Sequence, residues 1–568
     1  MRCRFIGTAV MVLAVLLAGC GSPGAPAIGR QADGRQAEGR QAGPKRVVAS
    51  IMGDPHTVYQ TLNPASRVRG IEHIQALVAA GLTREGEGVL RAELAEAVPS
   101  VENGLWKVLP DGKMETTWKI RNGAEWHDGT PFTSADLVFV AQVVRDKDLP
   151  IFSNVMYEFI ETVEAPDPLT LTIKWKSTYI DADTMFGVSA VPFARHRLEK
   201  PYVENKETFI DDPYWSFEYV GTGPFTIKTW ERGSHMIVRA NDRYVLGRPK
   251  VDEVEFRFIE DANATQANLL AGAVDMTLGR NLSGPQALEI SNRWSDGRMY
   301  VNYDGANQIA LYIQHINPNP PIVTDLTFKR AALYAIDRQA MVDALVTRQS
   351  EVAHSWLRPG QPAYQEIEAR NLVKYEYDPR RAVQMLETIG YTRGPDRALR
   401  DSSGRQLGFE VRTTGGDDLR EKMLFTIADD WQQIGMAISP YVIPRQQADD
   451  LEYRATYPAM ELVRQGLDHT GSRNIHSRNT PLAENSYRVT GNRSRYYSPE
   501  LDSLIDRYLI TIPLPERREA MGQIVRHISE NLPFLMMLYT SGVYLVSNRL
   551  QNFKADGPWN AHEWDVTT

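Results

Sequence analysis

Both cysteines of this 568-residue chain, Cys3 and Cys20, lie within its first 20 residues. Everything after Cys20 must therefore fold without a disulfide bond, and it offers no cysteine for a metal site or a thiol nucleophile. A chain of this length can bury a hydrophobic core large enough to be stable without such cross-links. Hydrophobic residues make up 42% of the sequence and charged residues 24%, which are ordinary values for globular proteins. Length and composition thus favour a globular body of two or more domains.

The segment that ends at Cys20 has the layout of an export signal. Two arginines near the start are followed by the mainly apolar residues 5–17, which suit a signal peptide but are too short to span a bilayer. The small residues Ala18 and Gly19 then precede Cys20. This order resembles the lipobox of bacterial lipoproteins, which implies cleavage before Cys20, acylation of its thiol and attachment to a membrane. The alternative is an ordinary secretory signal, residues 1–20, whose cleavage site borders a cysteine.

Residues 21–45 differ in composition from the rest of the chain. The sequence Gly-Arg-Gln-Ala occurs three times, beginning at Gly29, Gly34 and Gly39. Such a polar, glycine-rich segment cannot bury enough apolar surface to offset the entropy lost on ordering. It predicts a flexible tether that separates a globular body from the lipid surface.

After residue 45 the hydrophobic pattern alternates between that of strands and that of helices. Strand patterns predominate before residue 305 and helix patterns between about 325 and 440, which indicates an α/β protein with two unequal lobes. A Ser, Thr or Asp before an apolar stretch predicts a capped helix start. The predicted strands are 46–51, 114–120, 169–175 and 541–546, with a turn at 165–168, and the predicted helix starts are Thr133–Ser134, Asp325 and Asp378–Pro379, the last helix ending before Gly390.

Three segments stand out by their motifs. Residues 118–139 contain Trp-His-Asp-Gly at 126–129, between a strand and a capped helix. Residues 220–244 begin with Val-Gly-Thr-Gly-Pro-Phe, and residues 328–338 read Phe-Lys-Arg-Ala-Ala-Leu-Tyr-Ala-Ile-Asp-Arg, with Tyr-Asp-Pro downstream at 377–379. In this order they resemble the family 5 extracellular solute-binding proteins of bacterial ABC importers, the group that includes oligopeptide-, dipeptide- and nickel-binding proteins.

The resemblance implies a two-lobed, hinged periplasmic-binding-protein-like fold that closes on its ligand. In this family the first lobe is discontinuous and returns at the carboxyl terminus. The implied first lobe comprises residues 46–305 and 540–568, with an inserted subdomain at about 84–214, and the second lobe comprises residues 306–539. The strand predicted at 541–546 agrees with such a return, because a lone strand after a long helical stretch needs a partner for its backbone.

Peptide-binding members of the family place an aspartate of the second lobe against the amino terminus of the peptide. It follows a short strand and a Gly-aromatic step, and the matching residues here are Gly466 and Asp468. The resemblance therefore implies a charge-assisted contact from Asp468 to the amine of the ligand. Leu467 replaces the usual aromatic residue, and His469 begins a segment where Asp-Pro-Asp is common. The alternative is that Asp468 is a solvated residue of a surface loop.

Two further regions contain candidates for ligand contact. Residues 61–64, Thr-Leu-Asn-Pro, resemble an early family loop whose backbone binds an extended peptide as an added strand, which implies a contact at Asn63. Tyr487 lies in the polar segment 481–492, and Tyr496 just precedes a Ser-Pro helix start. The flat, amphipathic rings of Tyr496 and its neighbour Tyr497 suit the wall of a ligand site. Packing in a core is the alternative for these two residues.

The turn Trp126-His127-Asp128-Gly129 invites a catalytic or metal-binding interpretation, but its residues favour a structural one. Asp-Gly is a turn signal, and Asp128 can accept a hydrogen bond from its own backbone. His127, between Trp and Asp, is more often a paired structural group. Gly221-Thr222-Gly223 is not a phosphate-binding loop, because no Lys-Ser/Thr follows it.

The leading hypothesis is a monomeric, lipid-anchored extracytoplasmic protein that captures a peptide or peptide-like solute and delivers it to ABC permease subunits. The alternative of the same fold binds nickel or a metal chelate through the region of His469 and His476, whose spacing fits no compact ligand motif. An exported hydrolase is disfavoured because the sequence lacks His-Glu-x-x-His and Gly-x-Ser-x-Gly. A surface adhesion or signalling protein is a third class. The net charge of -8 speaks against nucleic-acid binding, and no catalytic residue, metal or cofactor is predicted.

Overall fold

The computed structural model describes residues 43–567, except for residues 64–69, 88, 153, 188–189, 280–281, 347–349, 358–363, 365–366, 368–371, 449, 467–468 and 489–490. Cys20, the predicted signal peptide, nearly all of the predicted tether and Asp468 thus lie outside the described residues. Pro44–Thr568 forms one compact unit. In the part of the chain that the structure describes, no helix has the length and apolar character needed to cross a membrane.

Helices and strands are interspersed along this unit. The strands are β1 (Arg46–Ile51), β2 (Thr83–Gly86), β3 (Val89–Ala92), β4 (Trp106–Val108), β5 (Met114–Lys119), β6 (Ile160–Asp167), β7 (Thr170–Trp175), β8 (Phe225–Glu231), β9 (His235–Ala240), β10 (Glu253–Phe258), β11 (Met276–Thr277), β12 (Gly297–Ile313), β13 (Thr392–Arg393), β14 (Leu399–Arg400), β15 (Gly408–Thr414), β16 (Ala437–Ile443), β17 (Met460–Gly466), β18 (Phe534–Ser547), β19 (Leu550–Gln551) and β20 (Asp565–Val566). The α-helices are α1 (Ile71–Val78), α2 (Ser134–Val144), α3 (Arg195–Glu204), α4 (Ala262–Leu270), α5 (Gly284–Arg293), α6 (Leu326–Tyr334), α7 (Arg338–Leu345), α8 (Pro379–Thr388), α9 (Asp418–Gln433), α10 (Leu451–Ala455), α11 (Pro499–Ile510) and α12 (Leu514–Asn531).

The predicted helix starts are confirmed, each with a side chain that satisfies a free amide of the first turn. Thr133 and Asp136 form a capping box at α2. The carboxylate of Asp325 accepts from the backbone N–H of Phe328 at 2.9 Å, and that of Asp378 caps α8, where proline is the first helical residue. Polar caps of this kind stabilise a helix by about 1 kcal/mol each, so local sequence is enough to set these starts.

A ten-stranded sheet runs through the unit in the order β16-β15-β17-β12-β18-β11-β1-β10-β9-β8. Two neighbouring interior strands, β12 and β18, are antiparallel and unusually long. Gly297–Asn302 pairs with Gly542–Ser547, and the pairing resumes between Asn307–Tyr312 and Phe534–Thr540 after a shift of register. We call this shift the crossover. It divides the sheet into a first half that contains β1 and a second half that contains β17.

The second half of the sheet packs one face on helices. Ile309 and Leu311 of β12 belong to a buried core together with Phe328 of α6, Leu386 of α8 and Trp431 of α9. The Trp431 indole N–H donates to the Ala332 carbonyl at 2.8 Å, which satisfies its polar atom inside this core. The opposite face of the same strands belongs to a separate, larger core.

A four-stranded antiparallel sheet, β4-β5-β7-β6, lies within residues 84–214. Its strands β5 and β7 confirm the predictions for residues 114–120 and 169–175. The predicted turn at residues 165–168 is wrong in position, because β6 extends through Asp167 and the chain reverses at Pro168 and Leu169. Proline is compatible with the end of β6 because a register shift between Glu164 and Asp167 interrupts the ladder there.

Candidate functional site

The carboxyl ends of strands from both halves of the sheet point toward the crossover. In the second half, β17 runs antiparallel to β12, so its last residue, Gly466, pairs with Asn307 at the crossover. β15 is parallel to β17 and ends on the same side. In the first half, β11 is antiparallel to β18, and β1 is parallel to β11. The loops that follow β1, β15 and β17 therefore meet at one region, which is where open α/β sheets bind ligands.

On the second half, a charged network lies beside the crossover. The guanidinium of Arg464 in β17 donates from Nε and Nη2 to the Asp417 carboxylate, each at 3.2 Å, and from Nη1 to the Thr540 hydroxyl at 2.6 Å. Asp417 also caps α9 and accepts from Arg420 Nε at 3.1 Å. These bonds tie β17, α9 and β18 together at the crossover. Sequence reasoning missed Arg464, although a charged residue that ends the apolar run of β17 was a usable signal.

On the first half, the loop after β1 is held by Asn63. Its Oδ1 accepts from the backbone N–H groups of His56 and Thr57 at 3.0 and 3.1 Å. Its Nδ2 donates to the carbonyls of Thr57 and Tyr59, both at 3.0 Å. The side chain thus shapes its own loop, and ligand contact at Asn63 stays a prediction that concerns the backbone of this loop.

The strand that precedes Asp468 has an unpaired edge near the crossover. In the described register β15 pairs only with Met460–Leu462, whereas β12 pairs with β17 as far as Gly466. The stretch from Val463 to Gly466 therefore has a strand neighbour on one side only. Ligand contact at Gly466 and Asp468 stays a prediction.

The two predicted tyrosines lie elsewhere in the second half. The ring of Tyr496 packs against His315 at a centroid distance of 5.0 Å, and its hydroxyl lies 3.4 Å from His527 Nε2. His315 follows the end of β12 and is eight residues from Asn307, about 27 Å along an extended chain. The hydroxyl of Tyr487 lies 3.4 Å from Glu452 in α10. The structure does not bring Tyr496 beside Gly466, and ligand contact by either tyrosine stays a prediction.

Contacts between residues 178–181 and the second half form a rim that sequence reasoning missed. Arg473 donates to the Tyr179 hydroxyl and lies 3.7 Å from the Asp181 carboxylate. The Thr178 hydroxyl donates to the Ile510 carbonyl at 2.5 Å. These partners are about 300 positions apart in the sequence, so no local pattern could have indicated the contact.

The turn at Trp126–Gly129 has the structural role that its residues favoured. His127 accepts from the Gly221 N–H at Nδ1 and donates from Nε2 to the Gly223 carbonyl, both at 3.1 Å. Burial lowers the pKa of His127 to about 4, so the ring is neutral at pH 7. Asp128 accepts from the Thr130 N–H at 3.1 Å, as expected for an Asp-Gly turn.

Histidines and carboxylates do not assemble into a metal site in the described chain. Among these residues, no group of three or more His, Cys, Asp or Glu side chains is arranged to hold an ion. His476 faces Asp502 and Asp506 of α11, at 3.4 and 3.5 Å, and its Nδ1 accepts from the Arg478 N–H. All the partners of this histidine thus lie within the predicted second lobe.

Comparison with known proteins identifies the family. The sequence model of the bacterial extracellular solute-binding proteins, family 5 Middle, matches residues 96–471. The chain belongs to this family. The oligopeptide-binding protein AppA of Bacillus subtilis is 25% identical over 449 residues, which cover 76% of this chain and 75% of AppA.

Solved structures confirm the predicted two-lobed α/β fold. A periplasmic oligopeptide-binding protein of an oligopeptide ABC transporter from Thermotoga maritima has a TM-score of 0.78 at 19% identity, covering 92% of this chain and 99% of that protein. NikZ from Campylobacter jejuni, solved with Ni(L-His), has a TM-score of 0.75 at 21% identity, with coverages of 92% and 99%. At these identities the two structures establish the fold and leave the solute of this family member open.

Proposed function

We propose that this family member captures peptides or peptide-like solutes between two lobes and delivers them to an ABC permease. The unpaired edge of β17 carries the proposal. The stretch from Val463 to Gly466 presents backbone donors and acceptors beside the crossover, and an extended peptide can pair with such an edge as an added strand. The name of the Bacillus AppA protein, which refers to oligopeptides, supports the same solute class.

The lobes in this proposal are residues 46–305 with 540–568, and residues 306–539. The chain passes from one proposed lobe to the other twice, once within β12 and once within β18. These are the two strands whose pairing shifts at the crossover. A ligand that contacts both lobes favours the closed arrangement by its differential affinity for that state. The rim contacts of Arg473 would then form on closure.

Direct binding measurements test the proposed solute class. The mature protein is incubated with a library of unmodified peptides, and retained peptides are identified by mass spectrometry beside whatever solute co-purifies. Retention of peptides with micromolar or tighter affinity supports the proposal. Retention of a metal chelate or a sugar, with no peptide retained, would refute it.

Asp468 is proposed as the partner of the peptide amine. Asp468→Asn should weaken binding by about 2–5 kcal/mol, as expected when one partner of a desolvated charge pair is removed. Titration calorimetry with a retained peptide and with its N-acetylated form measures this. The acetylated peptide should bind the wild type and the variant equally, and an unchanged affinity for the free-amine peptide would remove Asp468 from the site.

Anchoring through Cys20 is the last part of the proposal. Acylation of this residue would hold the protein on the outer side of a membrane, because several chains on one residue bind a bilayer stably. Labelling cells with a palmitate analogue should mark the wild type and leave Cys20→Ala unlabelled. Label on the variant would contradict the assignment.

A further inference from the structure

Gln308 is a fully buried side chain with an unpaired amide. It lies one residue beyond the crossover in β12, its exposure is 0%, and neither Oε1 nor Nε2 has a hydrogen-bond partner. A carboxamide can accept two hydrogen bonds and donate two. Each buried polar atom left unpaired costs about 1–3 kcal/mol, which is large beside the total stability of a domain. Folding alone does not account for a glutamine at this position.

The position of Gln308 relates it to the candidate ligand edge. Its register partner in β17 is Gln465, the neighbour of Gly466, and its partner in β18 is Tyr539. Cross-strand partners share a face of the sheet, so these three side chains lie together. This is the face turned away from the helical core of the second half, because Ile309 belongs to that core. Gln308 is therefore at the crossover end of the other face.

The same face continues with further unpaired donors. The Tyr312 hydroxyl and the Trp356 indole N–H are buried and have no hydrogen-bond partner. Both rings rest on Phe534, at centroid distances of 5.2 and 5.5 Å. Buried polar groups in proteins are nearly always paired, so three unpaired groups on one side of β12 point to a polar ligand.

A second buried glutamine, Gln314, directly follows β12 and has a structural role. Gln314 is 1% exposed, and its Nε2 donates to the carbonyls of Ala455 and Tyr457, both at 3.0 Å. Its Oε1 accepts from the Ile316 N–H at 3.0 Å. The fold thus pairs both polar atoms of a buried glutamine where the amide serves the protein itself, and it leaves both atoms of the one nearest the crossover unpaired.

We propose that Gln308 is a recognition group that pairs, through both atoms of its carboxamide, with a peptide group of the bound solute. A peptide group presents an acceptor C=O and a donor N–H, which complement Nε2 and Oε1 of the glutamine. This inference rests on the proposed function and narrows it to recognition of the peptide backbone. Its chemistry is neutral, so it adds to the charge pair proposed for Asp468 without depending on it.

Gln308→Met and Gln314→Met test the inference as a matched pair. Methionine keeps the length of glutamine and removes both polar atoms. Gln308→Met should leave the thermal midpoint of the ligand-free protein unchanged or raise it, because no hydrogen bond is lost. It should weaken the binding of tri-, tetra- and pentaalanine about tenfold or more, the equivalent of about 1.4 kcal/mol. Gln314→Met should lower the midpoint and change these affinities less than about twofold.

The outcomes separate the inference from the proposed function. If the wild type binds neither these peptides nor any member of the peptide library, the proposed function fails and the inference fails with it. If the wild type binds them and Gln308→Met binds them equally well, only the role of Gln308 is refuted. A midpoint lowered as much in Gln308→Met as in Gln314→Met also refutes it, because the amide would then have partners within the protein.

Discussion

The loop after β1 and the start of the second half of β12 approach the crossover from opposite sides, and they use the same chemical group differently. In the loop, the carboxamide of Asn63 makes contacts at 2.9–3.1 Å that hold residues 56–59 in place. In the strand, the carboxamide of Gln308 is more deeply buried and has no partner. An amide that builds the fold is saturated by its neighbours, whereas one kept for a ligand is not.

The two sides of the crossover contribute different kinds of groups to the proposed site. The first half presents a loop whose shape is fixed by its own hydrogen bonds, so it can offer backbone groups in a set arrangement. The second half presents the unpaired amide of Gln308 and the strand edge of Val463–Gly466, with packed side chains behind them. Groups held in place before binding lose little entropy when the solute arrives.

The largest expected effect comes from removing the charge that supports the second half. Glu461 in β17 is 0% exposed and lies 2.7 Å from Arg454, 3.3 Å from Arg493 and 3.7 Å from Arg412. Glu461→Gln leaves three guanidinium groups around a neutral side chain, so we expect the free energy of unfolding to fall by about 3–5 kcal/mol. Chemical denaturation measures this. Glu410→Gln, at a partly exposed glutamate of the neighbouring strand, is the control and should change stability by less than about 0.5 kcal/mol.

Acidification should weaken both sides of the crossover. Burial lowers the pKa of His127 in the first half and of His315 in the second half to about 4, whereas an unfolded histidine has a pKa of about 6.5. As the pH falls from 6.5 to 4, the unfolded chain binds protons that the folded chain does not. Stability is therefore complete above about pH 6.5 and is lost toward pH 4, by up to about 3 kcal/mol for each histidine.

Single variants sharpen this prediction. His127→Gln and His315→Gln should each reduce the loss of stability between pH 6.5 and 4, although each is less stable at pH 7 because ring contacts are lost. Denaturant titrations at several pH values give, for each variant, the slope of the free energy of unfolding against pH. Slopes equal to that of the wild type would show that these two rings do not titrate on unfolding.

Much of the fold could be predicted because its signals are local. A helix cap such as Asp325 bonds to an N–H only three residues away. In β5 and β7 the alternation of apolar and polar residues indicates which face of the strand is buried. The turn before β7 was misplaced because Pro168 can end a reversal as well as start one, and only the strand pairing decides. The early loop and the strand before Asp468 came from the family resemblance.

The groups proposed to recognise or enclose the solute could not be predicted in this way. Gln308 and Gln314 are identical residues in similar surroundings, and what separates them is whether Ala455 and Tyr457 present carbonyls to the side chain. Arg464 depends on Thr540, which lies 76 positions away. Such partners are fixed by the strand order of the whole sheet, which a single sequence does not encode in any short pattern.

A smaller effect is expected when the loop on the first side loses its brace. Asn63→Ala leaves the N–H groups of His56 and Thr57 without their acceptor, so we expect a loss of about 1–3 kcal/mol, divided between stability and peptide affinity. Asn103→Ala is the matched control, because Asn103 holds its own exposed turn in the same manner. It should cost stability without changing affinity. Equal affinities for the two variants would separate the loop after β1 from the site.

The smallest expected effect tests whether the two sides are joined by the rim. Arg473 and Tyr179 belong to opposite predicted lobes, and their contact, with Asp181 at 3.7 Å, exists only when the lobes are together. Arg473→Ala should weaken peptide binding by about 1 kcal/mol, about fivefold, because part of the closed state's advantage is lost. Small-angle scattering should show a larger radius of gyration for the ligand-free variant. Arg526→Ala, which removes an exposed arginine that pairs at 2.8 Å with Glu530 of its own helix, should behave as the wild type. An Arg473→Ala protein with wild-type affinity and dimensions would mean that solute contacts alone, and not the rim, hold the two sides together.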